Sequence, residues 1–248
     1  NAKALSTCVF GAVFAAGPMD LELIRVLEDL IAAAAAAPAA AGVDLNGTNF
    51  ALNNTIDTAA NGVVTTNFSG TTAIDAAGDI SATGAVTLRS DGGITAAGDV
   101  TTTADDITFQ SAVVLTDTVQ LDTDAGAGSI VFNNTLNGAG INLTLIADEG
   151  DIDFDGIVGG AGRVGVISIS SAADVTADLA VTADRRFQTT GTGTTTLSGA
   201  VDTKLKPHFG MSNGQLKVNL PVVCSVHANP ILEPIIVSAV ALRIKSAW

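Results

Sequence analysis

Between residues 42 and 203, apolar positions recur in short alternating runs that Gly, Asn and Asp residues interrupt. The recurring unit is an apolar residue, any residue, an apolar residue, and another apolar residue four positions later. Short alternation bounded by turn residues is typical of β-strands with one buried face. The unit occurs at Ile107, Phe109 and Val113; Ile130, Phe132 and Leu136; Ile152, Phe154 and Val158; Val175, Ala177 and Val181; and Thr195, Leu197 and Val201.

These units repeat at a nearly constant period. Their starts are separated by 23, 22, 23 and 20 residues, and a looser copy precedes them at Ile80, Ala82 and Val86. The linkers over 137–140 and 159–163 vary and contain Gly, as expected for stacked repeats in which insertions collect in loops. A second strand follows in three repeats and advances by 24 residues, at Val119 and Leu121; Leu143 and Leu145; and Ile167 and Ile169.

A period of about 22 residues predicts a mainly β fold, a right-handed parallel β-helix whose coils bury their apolar residues only by stacking. Equivalent residues then form columns. The alternative is a β-sandwich or propeller, which requires antiparallel hairpins with tight turns. The in-register columns favour the β-helix, with an expected stack of Phe109, Phe132 and Phe154 that Ala177 and Leu197 continue.

The segments that flank the repeats follow other patterns. Residues 18–41 predict an α-helix, because Pro18 suits a first helical position and apolar residues share one face until Pro38. Alternation over 216–222 and 236–244 predicts strands near the C-terminus. The expected organisation is an apolar segment with a helix (1–41), a β-helix (42–203) and a basic C-terminal β module (204–248).

Three stretches carry a resemblance to a known group of proteins: Gly78-Asp-Ile-Ser-Ala-Thr-Gly-Ala-Val-Thr-Leu88, Gly128-Ser-Ile-Val-Phe132 and Gly150-Asp-Ile-Asp-Phe-Asp-Gly156. They resemble repeats of large bacterial surface proteins, the filamentous-haemagglutinin-like and autotransporter-type adhesins. The resemblance lies in composition and period and covers residues 70–203. It implies an extracellular, elongated and non-enzymatic role. The chain departs from those adhesins in its short length and its distinct flanking segments.

Charge is distributed unevenly over a chain whose net charge is −14. Residues 42–203 carry 20 acidic and 4 basic residues, whereas residues 204–248 carry 1 acidic and 5 basic residues. The acidic excess excludes nucleic acid as an expected partner, since phosphate binding needs clustered Lys and Arg. An acidic flank and a basic end favour ordered association between copies of the chain.

The ends of a β-helix are candidate assembly sites, because a terminal coil exposes backbone groups that must be capped or paired. The helix over 18–41 is one candidate cap. Two apolar segments are candidates for insertion into a neighbouring copy by strand addition. Their residues are Val9, Phe10, Val13 and Phe14 near the N-terminus, and Ile236, Val240, Leu242 and Ile244 near the C-terminus.

The sequence Asp151-Ile-Asp-Phe-Asp-Gly156 matches the opening of a calcium-binding loop, which makes Asp151, Asp153 and Asp155 calcium candidates. Such loops carry Glu at position twelve, where this chain has Gly162. Ile152 and Phe154, which lie between the three Asp residues, also belong to the core columns. The Asp side chains are therefore expected on the outer face of a strand, and this interpretation is favoured over a calcium site. No other cofactor is predicted. The stacked acidic residues Asp106, Asp151 and Asp174 of successive coils are candidates for sharing cations, but Ser129 interrupts their column.

Two modifications remain open at this point. Cys8 and Cys224 either form one disulfide or stay as two buried thiols. Five Asn-X-Ser/Thr sequons indicate a glycosylated surface protein, at Asn46, Asn53, Asn67, Asn133 and Asn142. The chain contains no run of 18 or more uncharged apolar residues, so no membrane-spanning helix is expected.

No enzyme is predicted, since neither His208 nor His227 lies in a nucleophile or metal-ligand pattern. The first hypothesis is a structural subunit of a self-assembling extracellular filament or surface layer. Its copies would join by exchange of terminal segments or by end-to-end β stacking. The second hypothesis is a surface adhesin, a β-helical rod that binds glycans or a receptor on a cell surface. A sugar-cleaving β-helix is the third.

Overall fold

The computed structural model describes residues 42–188, 193–204, 208–209 and 215–218. All the described residues belong to one compact unit of the chain. The described residues form a β-solenoid of about seven turns, with parallel strands throughout and no helix. The helix predicted over 18–41 lies outside the described residues, and the right-handed winding stays a prediction.

Short strands follow one another along the described chain. In order they are β1 (Val43–Gly47), β2 (Phe50–Leu52), β3 (Ile56–Asp57), β4 (Val64–Phe68), β5 (Thr72–Ile74), β6 (Ile80–Ser81), β7 (Val86–Ser90), β8 (Ile94–Ala96), β9 (Val100–Thr101), β10 (Ile107–Phe109), β11 (Val113–Leu115), β12 (Val119–Asp122), β13 (Ile130–Phe132), β14 (Leu136–Asn137), β15 (Leu143–Ile146), β16 (Ile152–Phe154), β17 (Val164–Ser171), β18 (Val175–Ala177), β19 (Val181–Gln188), β20 (Thr194–Leu197), β21 (Val201–Thr203), β22 (His208–Phe209) and β23 (Gln215–Val218).

The strands form three parallel faces. The first face has nine strands in the order β1-β4-β7-β10-β13-β16-β18-β20-β23. The second has five, β14-β11-β8-β5-β2, and the third has β21-β19-β17-β15-β12-β9-β6-β3, with β22 beside β19. Each coil is numbered from its first-face strand, so that the sixth, seventh and eighth coils begin at β16, β18 and β20.

The predicted repeat starts are confirmed, because they form one column on the first face. The column contains Val43, Val64, Val86, Ile107, Ile130, Ile152, Val175, Thr195 and Leu216. The second-strand series is also confirmed, since Val119, Leu143 and Ile167 are paired in register on the third face.

The looser copy at Ile80, Ala82 and Val86 is wrong. Val86 itself is the equivalent of Ile107 on the first face, whereas Ile80 pairs with Ile56 and Val100 on the third face. The physical reason is that strands on all three faces alternate inward and outward residues, so spacing alone does not assign a strand to its face.

The predicted aromatic column is confirmed and forms the centre of the core. The rings of Phe109 and Phe132 stack with centroids 5.1 Å apart, and those of Phe132 and Phe154 with centroids 5.4 Å apart. Ala177 and Leu197 continue the column in register. All three Phe residues are at most 4% exposed, so the narrow interior is filled by residues stacked on their own equivalents.

The variable linkers lie between the second and third faces. In the fifth and sixth coils, loops over 138–142 and 159–163 separate these faces, and the amide of Gly138 donates to the carbonyl of Gly162. In the seventh coil, β19 runs through both faces, since Val181 pairs with Val158 and Ala183 pairs with Val164. The loops between the third and first faces also vary, from three residues after β17 to seven after β12, so insertions collect in the corner loops, as the repeat pattern predicts.

Candidate functional site

The three calcium candidates lie around β16 on the first face. Ile152 and Phe154 are buried, whereas Asp151 and Asp153 are half-buried and Asp155 is exposed. Within the described residues, no group of three or more His, Cys, Asp or Glu side chains is arranged to hold a metal ion. The structure therefore does not bring these three carboxylates together as a set of ligands.

Asp153 has an unfavourable position for a charged group. Partial burial raises its pKa above the ordinary value of 3.8, and the negative charges of Asp151, Asp155 and Asp178 raise it further. A hydrogen bond with Thr176 lowers the pKa in part. Thr176 is the register partner of Asp153 in the next coil, so this position suits an uncharged residue better than a carboxylate.

We expect the substitution Asp153→Thr to raise the free energy of unfolding at neutral pH by about 0.5–1 kcal/mol, because Thr favours strands and is uncharged. The raised pKa means that the folded protein binds a proton more readily than the unfolded chain. Charged Asp153 therefore destabilises the fold above its raised pKa, and this cost disappears as pH falls below the ordinary value. Denaturant titrations at pH 7 and at pH 3 should show a larger gain at pH 7, because only the part that is due to the charge disappears at pH 3.

The matched control is Asp155→Thr, since Asp155 is exposed in the same segment. A calcium site would give the opposite pattern: calcium would stabilise the wild type by mass action, and either substitution would abolish that effect. Such a result would reject the structural interpretation of Asp153.

The predicted acidic corner column has a definite structural role. The carboxylate of Asp106 accepts a hydrogen bond from the amide of Ser129 at 2.8 Å, and Ser129 Oγ accepts one from the amide of Asp151 at 3.2 Å. Asp151 in turn accepts from the amide of Asp174 at 2.9 Å, and Asp174 from that of Thr194 at 2.5 Å. Each side chain thus satisfies a backbone donor of the next coil, and Ser129 continues the column.

The same type of hydrogen bond, from a backbone amide to a side chain of the preceding coil, occurs at another corner. The carboxylate of Asp79 accepts from the amide of Asp99 at 2.9 Å, and Asp99 accepts from that of Gln120 at 2.7 Å. Asn142 accepts from the amide of Val166 at 2.8 Å. Sequence reasoning missed this role, although its signal is present: an Asp, Ser or Asn directly precedes the strands that begin at Ile80, Val100, Ile107, Ile130, Leu143, Ile152 and Val175.

A second group that sequence reasoning missed is the Arg163 cluster, defined as Arg163, Asp184, Asp202 and Lys204. Arg163 Nη1 donates to the carbonyl of Ala183 at 2.7 Å, and Nη2 lies 2.5 Å from Asp202 Oδ2. Lys204 Nζ lies 2.8 Å from Asp184 Oδ1. Arg163 follows the Gly-rich linker of the sixth coil and contacts the seventh and eighth coils, so one side chain connects three coils.

The five sequon asparagines are all exposed. Asn46 and Asn67 are paired in register on the first face, Asn133 directly follows β13, and Asn53 directly follows β2. Asn142 precedes β15 and uses its side-chain oxygen in the corner hydrogen bond described above. The structure therefore leaves each candidate for glycosylation on the surface.

Several predicted site residues lie outside the described residues: Cys8, Cys224, Val9, Phe10, Val13, Phe14, Ile236, Val240, Leu242 and Ile244. Their predicted roles stay predictions. Among the described residues, no helix is long and apolar enough to span a membrane. Comparison with family models, with curated proteins and with solved structures found no match.

Proposed function

We propose that this chain is a structural subunit of an extracellular assembly, a filament or a surface layer, whose copies join by pairing of β-strands. The observation that carries the proposal is the first face, a nine-stranded sheet paired in register from end to end. Its corner carboxylates bind backbone amides of the next coil, which is a scaffolding use of acidic side chains. The resemblance of residues 70–203 to repeats of bacterial surface adhesins supports the extracellular setting.

The first coil provides the edge for such pairing. Within the described residues, β1, β2 and β3 each end their sheet without a strand on the outer side. Natural proteins block such edges with charged side chains, Lys above all, with Pro or with a bulge. Strand β1, Val-Asp-Leu-Asn-Gly, has one charged residue, Asp44, and neither Lys nor Pro, and it pairs without a register shift. The strand is therefore a suitable template for another strand.

Pairing at this edge would use backbone groups, and the inward side chains of Leu45, Leu52 and Ile56 are only 2–3% exposed. The amide of Val43 and the carbonyl of Gly47 both bond to the second coil. Since backbone groups alternate direction along a strand, the amides of Asp44 and Asn46 point to the outer edge. These two amides are the donors that a pairing strand would use.

The experiment is electron microscopy of the purified full chain, with size-exclusion chromatography, for the wild type, Asn46→Pro and Asn46→Ala. Pro removes the outer amide of β1, whereas Ala keeps it, and both remove the side chain and the sequon. We expect polymers for the wild type and Asn46→Ala, and their loss for Asn46→Pro. Discrete monomers in all three samples would reject the proposal, and glycan binding by such monomers would favour an adhesin.

A further inference from the structure

Two core columns of the first face contain smaller or more polar residues in the seventh and eighth coils. The column position of Phe154 is taken by Ala177 in the seventh coil, and that of Val175 by Thr195 in the eighth. Both replacements are buried, at 2% and 1% exposure. Because less apolar surface is buried in these coils, each stabilises the stack less than the coils around Phe109 and Phe132.

A buried arginine lies in the same region. Arg186 is paired in register with Ile167 of the sixth coil and is only 2% exposed. Its burial lowers the pKa of the guanidinium to about 10, so the group is still charged at neutral pH. Burying a charge carries a desolvation cost that its contacts must offset, whereas burial of the apolar Ile167 at the equivalent place is favourable.

The Arg163 cluster compensates for this weak interior from outside. The ion pairs of this cluster join different coils, since Arg163 pairs with Asp184 and with Asp202, and Lys204 pairs with Asp184. The ion pair between Arg89 and Asp91 lies within one coil. Arg163 is 25% exposed and bonds to the carbonyls of Ala183 and Asp202 as well as to carboxylates. Its charged hydrogen bonds thus stabilise the seventh and eighth coils.

We propose that strands β18–β21, together with β22 and β23 that pair with them, form a detachable part of the solenoid that Arg163 holds in place, and that its release allows the sixth coil to pair with the same strands of a second copy. This inference rests on the proposed function and adds a second joint between copies, besides the edge of β1. When two identical chains exchange these strands, the strands make the same contacts in the partner as in their own chain. The exchange therefore costs little free energy once the contacts of Arg163 are broken. The charges of the Arg163 cluster make the release sensitive to salt.

The first test is hydrogen exchange, followed by mass spectrometry, on the full chain carrying Arg163→Gln. We expect exchange in β18–β21 to accelerate by about tenfold, with rates in β4–β10 unchanged. Arg89→Gln is the control for the loss of an exposed arginine, because it removes the ion pair with Asp91 and the hydrogen bond to Asn67, and it should leave exchange in β18–β21 unchanged. Acceleration spread evenly over all coils, or none, would contradict this role of Arg163.

The second test traps the exchange between copies. In an Arg163→Gln background with Cys8→Ser and Cys224→Ser, a chain carrying Asp153→Cys is mixed with one carrying Thr176→Cys and oxidised. These positions are register partners on β16 and β18, so exchange yields disulfide-linked heterodimers above the statistical proportion. The control pair is Thr65→Cys with Thr87→Cys, register partners on β4 and β7, and should give no such excess.

Equal yields of heterodimer from the two cysteine pairs, or no excess from the pair at positions 153 and 176, would contradict the exchange of strands between copies. These readouts are independent of polymer formation. If heterodimers form and electron microscopy shows no polymers, the detachable part stands and the proposed function fails. If polymers form without heterodimers, the proposed function stands and this joint fails.

Discussion

Replacing Phe132 with Ala is expected to lower the free energy of unfolding by about 3–5 kcal/mol, the usual cost of removing a buried aromatic ring. Phe132 is 1% exposed and stacks on Phe109 and on Phe154, at 5.1 and 5.4 Å between centroids. The substitution leaves a cavity between two rings that backbone pairing holds in place. Equilibrium denaturation in guanidinium chloride measures the loss.

The matched control is Phe132→Leu. Leu88 and Leu197 occupy the same column in other coils, so the coil geometry accepts this side chain. We expect a cost of about 1 kcal/mol, in the range of volume-conserving core substitutions. Equal losses for the Ala and Leu variants would show that stacking of the rings, and not filling of the column, stabilises the core.

Replacing Gly150 with Ala is expected to cost about 3 kcal/mol, at the upper end of the range for overpacking. A Cβ at this corner would overlap the carbonyl oxygen of Gly128 in the preceding coil. The overlapping atom belongs to the backbone, so the clash is relieved only by separating the two coils. Denaturation of the purified variant, with circular dichroism as the signal, measures the effect.

Gly140 supplies the comparison that separates crowding from backbone conformation. Its φ is +90°, and a Cβ there would meet nothing within 4 Å. Gly140→Ala is therefore expected to cost about 1 kcal/mol from conformation alone. A larger loss at Gly140 than at Gly150 would contradict the close approach of coils at the Gly150 corner.

The period and the core columns could be predicted because alternation and spacing carry them directly. Ile107, Ile130 and Ile152 show the same neighbours in sequence, and they are neighbours in the fold. The division into three faces could not be predicted, since apolar residues two apart look alike on every face. For this reason the pattern predicts Ile80 as a repeat start equivalent to Ile107, whereas Ile80 lies on the third face.

The corner contacts were less predictable for a different reason. The sequence shows that Asp151 and Asp174 recur at the coil period, but whether a carboxylate faces solvent, a cation or the next amide depends on the geometry of the turn. Arg163 and Asp202 are 39 residues apart, and Arg163 follows a linker of variable length. No periodic signal marks such a contact, so only the structure brings the two residues together.

The constant register of the first face makes the coil an interchangeable unit. Excision of residues 130–151 would place Ile107 beside Ile152 and Phe109 beside Phe154, because both pairs already share the partners Ile130 and Phe132. Unequal recombination within the repeats would therefore lengthen or shorten the molecule by whole coils and keep every column intact. In this architecture, length is the property that evolution can change without rebuilding the core.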